Sequence, residues 1–278
     1  MEKIKIITDS TADLPKEIYK QYDIEVLPLL VNFGEESYLD GIEINANEVF
    51  EKIEKVNILP TTAQVTPNRF IEAYTKYLRE GYKIISIHMS SVMSGTYQSA
   101  CIAKETLESE DIIVIDSQSV TAALGILVLK AVKLKERGYD IIQMKEELNR
   151  VKDNIKLSVH FDSLEYLVRG GRISKTAGIV GGMLGIKLIL EIKAGIMSVK
   201  DKVRGNKKSI KKIISDLESA NLDDELPVLL IDVNNVEIKE ALKEYLKNNN
   251  INYIECPVGS VVCIHSGPGC CGLTFLTK

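Results

Sequence analysis

The chain has 278 residues, 45% hydrophobic and 27% charged, which suits a globular protein with room for two ordinary domains. Its 35 basic residues stand against 39 acidic ones, a formal charge of −4, which excludes the broad basic excess of a nucleic-acid binder. No apolar run reaches the roughly 20 residues that span a bilayer, and the start "MEKIKIITDS" lacks a signal-peptide core, so the expected location is cytoplasmic.

In chain order, "KIKIITDS" (3–10) reads as a buried strand ending in polar residues, and "DLPKEIYKQYD" (13–23) as a helix with Pro15 near its start. "IEVLPLLVNF" (24–33) has strand character. "NANEVFEKIEKV" and "TPNRFIEAYTKYLREGY" read as helices, the second with Pro67 in its first turn. "KIISIHMS" (83–90) and "DIIVIDS" (111–117) are strands flanking a helix over 95–109. This alternation predicts right-handed crossovers and a largely parallel sheet. The second half mixes short strands (188–192, 196–199, 228–233, 252–255, 260–265, 272–276) with helices near 206–219 and 235–247. The expected fold class is therefore α/β, with a mostly parallel N-terminal domain (1–157), a mixed α/β C-terminal domain (158–278) and a boundary near 150–158. The lysine-rich run Lys200–Lys212 reads as a solvated loop and helix start.

Five cysteines form no C-x-x-C and no metal spacing, so reduced thiols and no metal site are expected. "GPGCCG" (267–272) matches the letters of the dinucleotide fingerprint, but only "LTFLTK" follows it, with no room for the helix and the acidic residue that the chemistry needs. A tight turn between two strands is the simpler reading.

Three polar clusters lie at or near strand ends, where ligands of α/β sheets sit. Residues Thr8 to Thr11 follow the first strand, and helix capping accounts for them at least as well as ligand contact. "SSVMSGTYQSA" (90–100) places Ser94, Gly95 and Thr96 at a helix start, where free amides and hydroxyls suit a carboxylate or phosphate. "LPTTAQVTP" (59–67) offers Thr61, Thr62 and Gln64 in a loop before a helix. Of three histidines, His88 and His160 lie in strand-like runs and read as packing residues, whereas His265 sits beside a glycine turn. A hydrolase built on Ser94, His265 and Asp9 is an alternative, although "MSGTY" is not a nucleophile elbow.

Taken together, "TDSTADLP", "TTAQVTP", "SSVMSGTYQSA", "VIDS", "LEYLVRGGRIS", "KLIL" and "HSGPGCCG" resemble the motifs of the DegV family, in order and across nearly the whole chain. The resemblance implies a two-domain α/β protein holding one long-chain fatty acid in a buried tunnel between its domains. It implies a lipid carrier without turnover of its own, which presents the fatty-acid carboxylate to the ATP-binding subunit of a fatty acid kinase. Phospholipid metabolism, transient membrane contact and no further cofactor follow from the same resemblance. Matched by motif, Thr62, Ser94 and His265 hold the carboxylate, and Gly95, Arg172 and Ser10 stand near the head group or partner. Ala63, Val65 and Leu188 depart from the commoner serine, proline and proline. "GIVGGMLGI" and "ALGILVL" are the apolar segments expected to line the tunnel.

Overall fold

The computed structural model describes residues 2–174 and 185–278. The chain starts on β1 (Ile4–Asp9), buried along its whole length, then a 3-10 turn (Ser10–Ala12), α1 (Lys16–Gln21) and β2 (Glu25–Leu27). An antiparallel pair follows, β3 (Leu30–Phe33) and β4 (Glu36–Leu39), then α2 (Ala46–Val56) and β5 (Thr61–Ala63). Next come α3 (Pro67–Arg79), β6 (Lys83–His88), α4 (Thr96–Leu107), β7 (Ile112–Asp116), α5 (Ala122–Glu136) and α6 (Ile141–Val151). The second half contains β8 (Ile155–Phe161), α7 (Glu165–Arg169), β9 (Ile186–Lys193), β10 (Ile196–Arg204) and α8 (Asn206–Glu218). It ends with β11 (Val228–Asp232), α9 (Val236–Asn248), β12 (Tyr253–Pro257), α10 (Ser260–Ser266) and β13 (Cys271–Leu276).

Three sheets result. The parallel sheet runs β2-β1-β6-β7, and a small antiparallel sheet runs β4-β3-β5. A six-stranded mixed sheet, β10-β9-β8-β13-β11-β12, is antiparallel except between β11 and β12. The α/β class and its division into a parallel and a mixed sheet therefore stand as read.

Local signals explain many of the elements. Asn45 and Glu48 form a capping box on α2, and Asp140 and Gln143 form one on α6. α3 starts at Pro67 and buries Phe70, Ala73, Tyr74 and Tyr77, at helical spacing, on one face. α5 is apolar all round because it is covered on both sides: it packs on β1 and β6 of one sheet and on β8, β11 and β13 of another. The larger apolar core accordingly runs through both halves, with a second core beneath α8 and α9.

Two strand expectations change. Residues 24–33 are not one strand but β2 and β3, in different sheets, separated at Pro28 and Leu29. Residues 260–265 are helical, not extended. Their β-branched run looks strand-like in isolation, but remote carboxylates accept from the amides at the helix start, Asp13 from Gly259 and Asp40 from Ser260. β4 carried no strand signal strong enough to read.

Candidate functional site

A cavity of about 300 Å³ lies between the parallel-sheet half and the mixed sheet. Its apolar wall includes Leu157, Val159 and Phe161, which alternate along β8 and so face one side. Ser158 and His160 point the other way, toward Asp216 and Ser209 of α8. Met89, Met93 and Met197 add flexible side chains to the wall.

Polar groups gather where three motif segments meet. Thr62, on β5 at the edge of the small sheet, has its Oγ1 2.9 Å from Nε2 of His265. His265 lies in the last turn of α10, which stops at Gly267 with φ +72°. Burial, reinforced by the positive charges of Arg172 and Arg169, lowers the His265 pKa to about 4, so the ring is neutral at neutral pH. Its Nδ1 is buried and has no partner among the described residues. Ser94 also lines the cavity, and its Oγ lies 3.0 Å from Thr96 Oγ1 and accepts from the Thr96 amide, closing the start of α4. Arg172 reaches the same end, donating through Nε to the Met93 carbonyl and through a terminal nitrogen to that of Gly170.

Two glycines make this convergence possible. A Cβ at Gly170 would lie 2.2 Å from His265 Nδ1, so only glycine lets the arginine-bearing turn rest against the imidazole. A Cβ at Gly95 would lie 2.1 Å from Gln64 Oε1. Gln64 in turn donates from Nε2 to Ser99 Oγ at 2.8 Å, locking the Thr62 loop to α4. Gly95 thus serves the site by close packing.

The opposite wall is polar by residue name but not in effect. Thr11 Oγ1 donates to Asp9 at 2.5 Å and Thr121 Oγ1 to Asp13 at 2.7 Å, so both hydroxyls are occupied. The cavity is therefore apolar apart from one end with free hydrogen-bonding capacity, the pattern of an amphipathic ligand's site.

Thr62, Ser94, Gly95, Arg172 and His265 all line the main cavity, and Ser10 does not. Its Oγ donates to Asp40 at 2.7 Å and accepts from the Leu29 amide, on a second cavity of about 550 Å³. Ala63 lines the main cavity, and Val65 and Leu188 are fully buried. "ALGILVL" is packed within α5 and lines no part of the cavity, because both faces of that helix are covered by sheet. Most of "GIVGGMLGI" lies outside the described residues. The lining residues of β8, together with Thr121, were missed, and only the alternation in "LSVHF" could have pointed to the former; Thr11, weighed as a cap or a ligand contact, lines the cavity.

The Ser94–His265–Asp9 arrangement does not form. Asp9 Oδ2 instead meets His88 Nδ1 at 3.1 Å and accepts from the Met89 amide. His88 Nε2 lies 2.6 Å from Ser86 Oγ, and the whole relay is fully buried. His160 is likewise enclosed, between Ser209 and Asp162. Among the described residues no group of three His, Cys, Asp or Glu could hold a metal, and no helix is long and apolar enough to cross a membrane. Adjacent Cys270 and Cys271 face opposite sides, the first toward the cavity and the second toward the core under α8 and α9. Burial pushes the Cys270 thiol up to about 12, which keeps it from acting as a thiolate. After Gly272 the chain continues as β13, so no dinucleotide helix follows the fingerprint letters.

Comparison with known proteins places nearly the whole chain in one family. The family described as "Uncharacterised protein, DegV family" matches residues 3–278. A DegV domain-containing protein of Clostridium perfringens is 52% identical over 100% of both chains, and one of Clostridium acetobutylicum is 51% identical over the same full coverage. A DegV family protein of Thermus thermophilus, whose structure is described by its fatty-acid binding, superposes with a TM-score of 0.90 at 28% identity, covering 99% of this chain and 100% of that one. DegV of Bacillus subtilis, described as a fatty-acid-binding protein, gives 0.87 at 32% identity with both chains fully covered. A stearic-acid-binding protein of Eubacterium ventriosum gives 0.87 at 26% identity, covering 100% of this chain and 99% of that one. The chain belongs to the DegV family.

Proposed function

We propose that the protein binds one long-chain fatty acid, with the acyl chain in the cavity and the carboxylate at the Thr62, Ser94 and His265 end. The observation that carries this reading is the segregation of the cavity: apolar walls, the Thr11 and Thr121 hydroxyls occupied, and Ser94 and the Thr62–His265 Nε2 pair gathered at one end. Hydroxyls and a neutral imidazole N–H donate charge-assisted hydrogen bonds to a carboxylate, and Arg172 adds a positive field. Burying the tail contributes about 0.8 kcal/mol per CH₂, on the order of 10 kcal/mol for a sixteen-carbon chain before ordering costs.

The protein acts as a carrier in the cytoplasm, taking up and releasing its lipid through transient membrane contact. It offers the bound carboxylate to a separate kinase subunit that holds ATP. One carboxylate oxygen attacks the γ-phosphorus, ADP leaves, and the product is an acyl phosphate destined for phospholipid synthesis. This role rests on the family resemblance.

Native mass spectrometry of gently purified protein is the first experiment, with an adduct of fatty-acid mass as the expected result. Protein that is empty after purification and still takes up no added fatty acid would refute the binding. Phosphate transfer from ATP to bound fatty acid, on addition of the kinase subunit, tests the carrier role.

A further inference from the structure

Two buried carboxylates stand at the far end of α10 from His265. Asp13 is 4% exposed and Asp40 is 3% exposed. Asp13 Oδ1 accepts from the Gly259 amide at 2.9 Å, and Asp40 Oδ1 accepts from the Ser260 amide at 2.9 Å. Neither lines the main cavity; both lie on the wall of the second one.

Each carboxylate also grips another part of the site's framework. Asp40 follows β4, accepts from Ser10 Oγ, and donates its amide to the Leu29 carbonyl at 3.0 Å, beside the strand that pairs with β5. Ser260 Oγ adds a bond to the Ile44 carbonyl. The small sheet carrying Thr62 is thus tied to the start of the helix carrying His265. Asp13 Oδ2 accepts from Thr121 Oγ1, and Thr121 sits at φ +54°, ψ −147°, a strained position for a β-branched residue on the cavity wall. The fit is close: a Cβ at Gly259 would lie 2.9 Å from Asp13 Oδ1.

We propose that Asp13 and Asp40 are positioning residues of the head-group site. By fixing the start of α10, through Asp40 to the small sheet and through Asp13 to Thr121 at the start of α5, they set His265, roughly 9 Å along the helix, against Thr62. The consequence for affinity rests on the fatty-acid reading, whereas the placement of His265 does not.

The test compares Asp13→Ala with Asp13→Asn in delipidated full-length protein. Asparagine can accept from the Gly259 amide, donate to Thr121 Oγ1 and tolerate the left-handed backbone of Asp13 (φ +50°). The readouts are affinity for a fluorescent polyene fatty acid and the imidazole ¹⁵N resonance of ligand-free His265. That resonance is one of three histidine signals and is assigned by its loss in His265→Gln. Asp13→Ala is expected to weaken binding about tenfold and move the resonance; Asp13→Asn is expected to restore both. Should Asp13→Ala not fold, Gly259→Ala, which crowds the pair without deleting it, should move both readouts the same way. An unmoved resonance and unchanged affinity in a folded Asp13→Ala or Gly259→Ala protein would overturn the proposal, as would equal losses in Asp13→Ala and Asp13→Asn. If the unaltered protein binds no fatty acid, the function falls and the resonance alone decides the positioning.

Discussion

His88 and His265 sit in environments of similar composition and opposite completeness. His88 is fully buried with both ring nitrogens engaged, one by Ser86 and one by Asp9, and Tyr74 donates on to Ser86. His265 has one nitrogen on Thr62, one buried nitrogen without a partner among the described residues, and a cavity in front of it. A closed polar network fixes a core, whereas a hydroxyl–imidazole pair on a cavity wall, with Nδ1 packed against Gly170 and Nε2 on Thr62, can take a ligand on its cavity side. The hydroxyl–imidazole–carboxylate pattern by itself does not identify a catalytic site: the complete Ser86–His88–Asp9 relay is sealed from any substrate.

The largest expected effect lies on the closed side. Replacing His88 by alanine opens a cavity in the core and removes one hydrogen bond each from buried Asp9 and Ser86, although Asp9 keeps those from Thr11 and the Met89 amide; it should cost about 3 kcal/mol of stability, read from urea midpoints, and a change below about 1 kcal/mol would erase the contrast. On the open side, His265→Ala should leave the midpoint nearly unmoved while weakening fatty-acid binding by about 1–3 kcal/mol, measured by titration of delipidated protein. Loss of stability without loss of affinity would reverse the assignment. Gly170→Ala, which drives a methyl group into the imidazole, should lower affinity in the same direction by several-fold.

A smaller effect concerns pH. His265 has a folded pKa of about 4 against an ordinary 6.5. Between those values the unfolded chain takes up a proton that the folded protein refuses, so this group's contribution is full above pH 6.5 and is lost as pH falls toward 4. Asp13 and Asp40, whose pKa values burial raises, act with the opposite sign, since the folded state holds their protons more readily. The difference between the original protein and His265→Gln isolates the histidine: the original protein should lose stability relative to the variant as pH falls from about 6.5 to about 4. Parallel curves would mean that the imidazole is not held neutral.

The positions of motif residues were legible because glycines, hydroxyls and charged turns stand out against apolar periodicity. Thr62, Ser94 and His265 could be singled out that way, and the family's motifs joined them. Ser10 stood in an equally suggestive motif, yet its hydroxyl bridges Asp40 and Leu29 and never reaches the cavity. "ALGILVL" looked like a tunnel wall because it is apolar, but an apolar helix between two sheets has no face left to line anything.

By itself the sequence determined what local chemistry controls: the Pro67 start of α3, the capping boxes, the two-residue period of β8, and the failure of the dinucleotide fingerprint. Only the tertiary structure decided what depends on distant partners. It made 260–266 a helix by supplying carboxylates from residues 13 and 40, and it split 24–33 between two sheets. It also gave Asp9 to His88 and left His265 open. Hydrogen-bond partners hundreds of residues apart leave no periodic trace in a sequence, and burial of a polar atom exists only once the chain has folded around it.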